Sequence, residues 1–280
     1  MNTITTRDGT EIYYKDWGKG QPIVFGHGWP LCGDAFEDQM FFLARRGYRC
    51  IAHDRRGHGR SGQPWAGNDM NTYADDLATL VETLRLKNAI YVGHSTGAGE
   101  ITRYIGRHGS GRAAKVVLIG AASVAPRKGT ISAPDSSTEA PDRIRAALLE
   151  DRAQFFKELA VTFYGYNRAG SALSEGARDV FWAQAMMCGF PAAYDSIAAS
   201  FQTDLSEDFK RIDVPTLVLH GEDDQIVPLD ASALRWSPLI KNARRKIYKG
   251  APHGMYRTLK NRINADLLAF FQGERHSESG

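Results

Sequence analysis

The chain has 280 residues, of which 42% are hydrophobic and 24% are charged, so it can bury a sizeable core. Its 35 basic and 32 acidic residues leave a formal net charge of +3, which argues against a nucleic-acid partner because such a partner needs a concentrated basic surface. The three cysteines are widely spaced and lack a CxxC unit, so neither a disulfide framework nor a zinc site is expected. The absence of a signal-like or membrane-spanning stretch predicts a cytoplasmic protein without membrane contact.

Short apolar strands alternate with amphipathic helices along most of the chain. The Asp8-Gly9 turn predicts a β-hairpin over residues 3–6 and 11–15. Further strands are predicted at 22–26, 48–53, 89–92, 115–120, 216–220 and 246–248. Helices are predicted at 33–46, from the Thr72-x-x-Asp75 capping box, at 96–108, at 230–239 and near the C-terminus. This alternation is typical of an α/β fold with a mainly parallel, doubly wound sheet.

The alternation stops in residues 125–208, where helical patterns rich in aromatic residues occur without a convincing strand. We therefore predict a core made of residues 1–124 and 209–272, interrupted by a helical cap insertion at 125–208. The polar residues 273–280 are predicted to form a disordered tail.

The pentapeptide Gly93-His94-Ser95-Thr96-Gly97 follows a predicted strand and opens a predicted helix. In this context it resembles the nucleophile turn of the α/β-hydrolase fold. The two glycines let strand and helix approach closely, so that the Ser95 hydroxyl projects clear of the sheet. The helix N-terminus directs N–H groups at developing negative charge. His94 is interpreted as a structural residue.

A serine hydroxyl becomes a good nucleophile only when a base removes its proton, and in this fold the acid and then the histidine follow the serine along the chain. Asp223 and Asp224 both follow the predicted strand at 216–220. The pattern G-x-x-D-x-x-x-P favours Asp224, and Asp223 stays the alternative. His253 lies after the last predicted strand, between a proline and a glycine, where it has no obvious packing role. The predicted catalytic triad is therefore Ser95, Asp224 and His253.

Acyl transfer also needs two hydrogen-bond donors at the carbonyl oxygen that becomes negative, one after the nucleophile and one in an early loop. The backbone N–H groups of Thr96 and Trp29 are the candidates. The residues predicted to bind substrate are Trp29, Ile226 and Val227 beside the catalytic loops, and Phe163, Trp182 and Met186 in the insertion. Core packing within the cap is the alternative interpretation for the last three.

Over nearly its whole length the sequence resembles the cofactor-free haloperoxidases, also called non-haem chloroperoxidases, and the related bacterial aryl esterases and perhydrolases. The resemblance is carried by the segments HGW at 27–29, DRRGHGRS at 54–61, GHSTG at 93–97, HGEDDQIVP at 220–228 and APHG at 251–254. It implies the triad and donors already named, a structural role for loop 54–61, and no cofactor, haem or metal.

The chain departs from this family at Ala98, where glycine is usual, and the insertion resembles the family's cap only loosely. Pro30 resembles a proline found beside the oxyanion-loop tryptophan in peracid-forming members. It is compatible with a repositioned carbonyl that favours hydrogen peroxide over water, or with a plain turn, and both interpretations stay open.

The sequence therefore predicts a serine hydrolase that cleaves small carboxylic esters through an acyl-enzyme, with peracid-forming, haloperoxidase-like activity. The expected partners are a small-molecule ester and hydrogen peroxide, and a homo-oligomer is left open. The alternatives are a lactone or amide hydrolase on the same triad, or a non-catalytic ligand-binding protein. A metal site at His53 and His58 is disfavoured because the neighbouring arginines would oppose a bound cation.

Overall fold

Eight strands form one sheet in the computed structural model, which describes residues 2–121, 139–171 and 173–273. In chain order the strands are β1 (Thr3–Thr5), β2 (Glu11–Gly18), β3 (Gln21–Gly26), β4 (Tyr48–His53), β5 (Ala89–His94), β6 (Ala113–Ile119), β7 (Thr216–Gly221) and β8 (Ala243–Tyr248). They lie side by side in the order β1-β2-β4-β3-β5-β6-β7-β8. β2 runs antiparallel to both of its neighbours, and all pairs from β4 to β8 are parallel. The mainly parallel sheet predicted from the sequence is confirmed.

Helices cover both faces of this sheet. Within the described residues they are α1 (Glu37–Ala44), α2 (Met70–Thr83), α3 (Thr96–His108), α4 (Glu139–Tyr164), α5 (Glu175–Met186), α6 (Phe190–Phe201), α7 (Ser206–Lys210), α8 (Ala233–Trp236), α9 (Met255–Thr258) and α10 (Lys260–Gln272). α1 and α10 pack on one face, and α2 and α3 pack on the other. Side chains of the central strands alternate between the two resulting cores, and on β5 Val92 faces the first and Tyr91 the second. Burial on both faces explains the apolar runs in the sequence.

Two helical segments differ from the sequence prediction. α2 begins before Thr72 because the Asp69 carboxylate accepts N–H groups of the first turn, including that of Thr72 at 3.1 Å. Asp69 is therefore the N-cap, and Thr72 lies inside the helix. The single helix predicted at 230–239 is instead the short α8 flanked by 3₁₀ turns, because Ser232 before it has non-helical dihedral angles (φ −132°, ψ −98°).

Helices α4 to α7 occupy the chain between β6 and β7, and the described residues there include no strand. Inside α4, Asp151 has non-helical dihedral angles, and its carboxylate caps the second half by accepting the Gln154 N–H at 2.9 Å. Residues 125–138 of the predicted cap and 274–280 of the predicted tail lie outside the described residues. No described helix is both long and apolar enough to span a bilayer.

Candidate active site

Loops at the carboxyl edge of the parallel strands hold the residues predicted to carry out the chemistry. Trp29 follows β3, Ser95 follows β5, Asp224 follows β7 and His253 follows β8. Neighbouring parallel strands end at the same edge of a sheet, so residues that are distant in sequence can come together there.

Ser95 occupies a tight turn between β5 and α3, with φ 52° and ψ −119°. A non-glycine residue in this region is strained by about 1–3 kcal/mol, and it persists only when the surrounding structure holds it. The Ser95 N–H donates to the Ile119 carbonyl oxygen at 2.9 Å. The flanking glycines are needed for close packing: a Cβ on Gly93 would lie 2.6 Å from the Gly97 oxygen, and a Cβ on Gly97 would lie 2.1 Å from the Gly26 oxygen.

The buried carboxylate of Asp224 accepts a hydrogen bond from the ring of His253. His253 Nδ1 and Asp224 Oδ2 are 2.7 Å apart, and both side chains are almost fully buried. The other carboxylate oxygen accepts the backbone N–H groups of Ile226 at 3.0 Å and Val227 at 2.7 Å. These bonds hold Asp224 in a single orientation, with one oxygen on the backbone and the other on the imidazole.

Asp223, the alternative acid, lies outside this arrangement. Its carboxylate is partly exposed and pairs with Arg168, with 2.6 Å between Nε and Oδ2. That hydrogen bond lowers the pKa of Asp223. The structure therefore places Asp224, and not Asp223, against His253.

The end of β6 lies next to both the serine turn and the His–Asp pair. Ile119 bonds to Ser95, and a Cβ on the next residue, Gly120, would lie 3.2 Å from His253 Nδ1 and 3.5 Å from Asp224 Oδ2. Gly120 has φ 52°, so this position favours glycine on both conformational and steric grounds. The structure thus brings the three predicted triad residues to one place.

Two further histidines, His94 and His220, lie beside the His253–Asp224 pair, and no sequence motif predicts a chemical role for either of them. His94 Nε2 donates to the His253 carbonyl oxygen at 3.1 Å, and the two rings are 4.6 Å apart between centroids. His220 Nε2 donates to the Val227 carbonyl oxygen at 2.8 Å and lies 3.4 Å from Asp224 Oδ2. Burial lowers the pKa of both His94 and His220, which keeps them neutral. The sequence signal for both is their position: each lies at the end of a strand, just before a loop that holds a predicted triad residue.

The loop that follows β3 passes directly beside Ser95. A Cβ on Gly28 would lie 3.3 Å from the Ser95 Cβ and 2.6 Å from His94 Nδ1, so a side chain at Gly28 would collide with the site. Trp29 follows Gly28 and supplies one of the predicted donors. Thr96 is the first residue of α3, so its N–H has no partner within the helix and remains available for a negative oxygen.

Both residues predicted to supply oxyanion donors are also hydrogen-bonded through their side chains to α6. The Trp29 indole N–H donates to the Ala193 carbonyl oxygen at 3.1 Å. The Thr96 and Ser200 hydroxyl oxygens are 2.7 Å apart. Helix α6 therefore contacts both residues predicted to supply oxyanion donors.

Five of the six predicted substrate-binding residues fall into three groups. Trp29, in the loop after β3, and Phe163 lie beside the predicted triad. The Phe163 ring packs edge-on against His253 with centroids 4.9 Å apart. Ile226 and Val227 flank Asp224 and hold it through their backbones. Met186 is half-buried against the core at the end of α5.

Trp182 contacts α4 through both its indole N–H and its ring. Its indole N–H donates to the Ala153 carbonyl oxygen at 3.0 Å, and the Lys157 ammonium lies 5.1 Å from the ring centroid. The ring lines a charged surface depression formed by α4 and α5. These contacts fit the alternative interpretation of Trp182, which is packing between α5 and α4.

Among the described residues, Cys32, Asp34 and Asp54 bring possible metal-ligand atoms within 4.8 Å of one another. Arg60 donates to both carboxylates, and Lys15 pairs with Asp34 at 2.6 Å. Burial and the nearby carboxylates raise the pKa of the Cys32 thiol to about 12, so it stays protonated. The positive charge that a metal would supply is already provided by the arginine and the lysine.

Comparison with known proteins gives consistent results. The family described as alpha/beta hydrolase fold matches residues 21–257. The chain is 49% identical over 273 residues to a non-heme haloperoxidase of Rhodococcus erythropolis (97% of this chain, 100% of the relative). It is 47% identical over 276 residues to the bifunctional esterase/perhydrolase DCH of Acinetobacter calcoaceticus, again covering 97% and 100%. The structure of a bromoperoxidase from Bacillus anthracis superimposes with a TM-score of 0.90 at 35% identity, covering 97% of this chain and 100% of that one.

Proposed function

The chain belongs to the α/β-hydrolase fold family, and on this premise we propose that it is a serine hydrolase that cleaves small carboxylic esters through an acyl-enzyme. The observation that carries the proposal is the buried His253–Asp224 pair, 2.7 Å apart, at the same strand edge as the strained Ser95 turn. A carboxylate bonded to Nδ1 keeps the proton on that nitrogen, which leaves Nε2 free to accept a proton.

In the first half-reaction, Ser95 Oγ bonds to the ester carbonyl carbon while His253 Nε2 takes the hydroxyl proton. The carbonyl oxygen becomes negative and is held by the N–H groups of Trp29 and Thr96, each worth about 3 kcal/mol in the transition state. The bond to the alcohol oxygen then breaks, and His253 returns the proton to the departing alcohol. In the second half-reaction water adds to the acyl-enzyme, His253 takes one of its protons, and Ser95 leaves with that proton as the free acid is released.

Hydrogen peroxide is the second acceptor that we assign to this site, and similarity to a non-heme haloperoxidase and to a bifunctional esterase/perhydrolase supports it. Peroxide adds to the acyl-enzyme in the place of water, so the released product is a peracid. The peracid then oxidises halide to hypohalite and becomes the carboxylic acid. Because the oxidation takes place on the released peracid, the protein's own residues perform acyl transfer alone.

We assign α4, α5 and α6 to a cap at the active site, inserted between the two parts of the core (1–124 and 209–272). The edge-on contact of Phe163 with His253 supports this division, as do the bonds from α6 to Trp29 and Thr96. In this arrangement the acyl group meets aromatic side chains of the cap, and the cap sets which acyl chains fit.

The test compares the wild type with Ser95→Ala and with Ser171→Ala, an exposed serine in the loop between α4 and α5. Hydrolysis of p-nitrophenyl acetate, butyrate and octanoate is measured with and without hydrogen peroxide, together with peracid formation. Ser95→Ala is expected to lower kcat by on the order of 10⁴-fold or more, and Ser171→Ala is expected to match the wild type. A fluorophosphonate should increase the mass of the wild type and of Ser171→Ala, and should leave the mass of Ser95→Ala unchanged. Undiminished turnover by Ser95→Ala would exclude this function.

A further inference from the structure

The carbonyl oxygen of Gly28 is held by two hydrogen-bond donors. Leu31 donates its backbone N–H at 2.9 Å, and His27 Nδ1 lies 3.0 Å from the same oxygen. The peptide bond from Gly28 to Trp29 is trans, since the cis bond in this loop is the following one, to Pro30. In a trans peptide the C=O and the next N–H point in opposite directions. The two donors on Gly28 therefore determine the direction of the Trp29 N–H, a proposed oxyanion donor.

The surroundings of His27 determine which ring nitrogen carries the proton. The backbone N–H of Arg55 points at His27 Nε2, at 3.0 Å. An amide N–H can only donate, so Nε2 must accept and the proton of a neutral ring must be on Nδ1. Burial, together with the charge of Arg55 and the nearby His58 and His53, lowers the pKa of His27 well below its usual value. The ring is thus neutral and donates from Nδ1 to Gly28.

A buried ion pair joins this loop to the helix that carries the other donor. Arg55 Nη2 donates to the His27 carbonyl oxygen at 2.7 Å and to Glu100 Oε2 at 2.8 Å. Glu100 lies on α3, one turn after Thr96, and its second oxygen accepts from His53 at 2.8 Å. Burial alone would raise the pKa of Glu100, but Arg55 and His53 lower it to about 2, so the carboxylate stays charged. His27 is therefore bonded to Arg55 through both its ring and its backbone.

We propose that His27 is a positioning residue of the oxyanion site, which aims the Trp29 N–H at the substrate by donating from Nδ1 to the Gly28 carbonyl. This positioning role rests on the proposed acyl-transfer function, because the Trp29 N–H is one of the oxyanion donors in that reaction. His27 does not touch the substrate, and its effect is exerted through the Gly28–Trp29 peptide. Loss of the Nδ1 donor leaves Leu31 as the remaining restraint on that peptide.

Two substitutions separate the nitrogens of the ring. In His27→Asn, the side-chain amide places its N–H₂ near the position of Nδ1, so the bond to Gly28 can be kept. In His27→Gln, the longer amide reaches the position of Nε2 and keeps the bond to Arg55 instead. Each variant loses one buried hydrogen bond, so a merely structural role predicts similar losses of stability and of activity in both.

With p-nitrophenyl acetate, we expect His27→Gln to lower kcat by roughly 30-fold, a part of the hundredfold or more that a complete oxyanion donor supplies. KM should change by less than about threefold, since the lost interaction acts in the transition state. His27→Asn should turn over about tenfold faster than His27→Gln. Affinity for a trifluoromethyl ketone, which forms an oxyanion adduct with the nucleophile, should follow kcat across the series.

Equal kcat values for the two variants, or a loss confined to KM, would overturn the proposal. Should either variant fail to fold, ¹⁵N spectra of the histidine rings in the wild type decide the matter, because a proton on Nε2 of His27 contradicts it and one on Nδ1 supports it. Ser95→Ala separates the two levels of inference. If Ser95→Ala still hydrolyses the ester, the proposed function is excluded. If Ser95→Ala is inactive but the two His27 variants have equal kcat values, only the positioning role of His27 is excluded.

Discussion

Asp224→Asn is expected to disable the proposed base by reversing its tautomer. The Asn oxygen can still accept the N–H groups of Ile226 and Val227, so the side chain keeps its orientation and turns its N–H₂ towards His253. Two N–H groups cannot point at each other, and His253 must therefore accept at Nδ1 and carry its proton on Nε2. That nitrogen can then no longer take the proton of Ser95.

The expected loss in kcat is about 10⁴-fold, or ~5 kcal/mol of activation free energy, by analogy with other serine hydrolases in which this tautomer is lost. KM should change little because Asp224 contacts His253 and backbone, and not the substrate. The free energy of unfolding should fall by less than about 2 kcal/mol, since two of the three hydrogen bonds to Asp224 survive. Loss of activity is thereby separated from loss of folded protein.

Asp223→Asn is the matched control, one residue away and of identical chemistry. It removes only a solvent-exposed ion pair with Arg168, which water and salt screen, and it leaves His253 untouched. Initial rates with p-nitrophenyl acetate and urea unfolding curves for the two variants give both quantities. A kcat for Asp224→Asn within tenfold of the wild type, or a larger loss of kcat in Asp223→Asn, would exclude this role for Asp224.

Other substitutions test the surrounding structure. Glu100→Leu leaves Arg55 buried without its counter-charge and should lower the free energy of unfolding by about 3–5 kcal/mol in urea titrations. The double variant Glu100→Leu/Arg55→Met should recover most of that loss. If the losses of the two single variants instead add up in the double variant, the two side chains do not interact as a buried ion pair. Burial and the charge of Arg55 lower the pKa of His58 to about 3, against 6.5 for an ordinary histidine. Below pH 6.5, His58 therefore becomes protonated in the unfolded chain while it stays neutral in the folded protein. Stability should then fall with decreasing pH, by up to ~1.4 kcal/mol per pH unit from this residue, and His58→Asn should show a shallower pH dependence between pH 7 and 4. Ser200→Ala removes the partner of the Thr96 hydroxyl and should lower stability by about 1 kcal/mol in thermal or urea unfolding, a result that a change within error would contradict.

Local sequence patterns predicted most of the elements that position the site. The helix predicted at 96–108 and the strand predicted at 48–53 have the same bounds in the structure. These elements end at glycines or polar turns and have strong apolar periodicity, which depends on neighbouring residues alone. The predicted start of α2 at Thr72 is wrong because Asp69, three residues earlier, accepts the N–H groups of Asn71 and Thr72 and also the Thr72 hydroxyl.

The sequence by itself determined the alternation of strands and helices, the glycine-flanked serine turn and the short list of acids and bases, because each is set by residues adjacent in the chain. The tertiary structure alone decided that Asp224 faces His253 across 29 positions and that His94 bonds to the His253 carbonyl across 159. It likewise bonded the Trp182 indole to Ala153 and the His27 ring to the Arg55 backbone. Such contacts depend on the order of the strands in the sheet and on how the helices between β6 and β7 pack. Neither leaves a local pattern in the sequence.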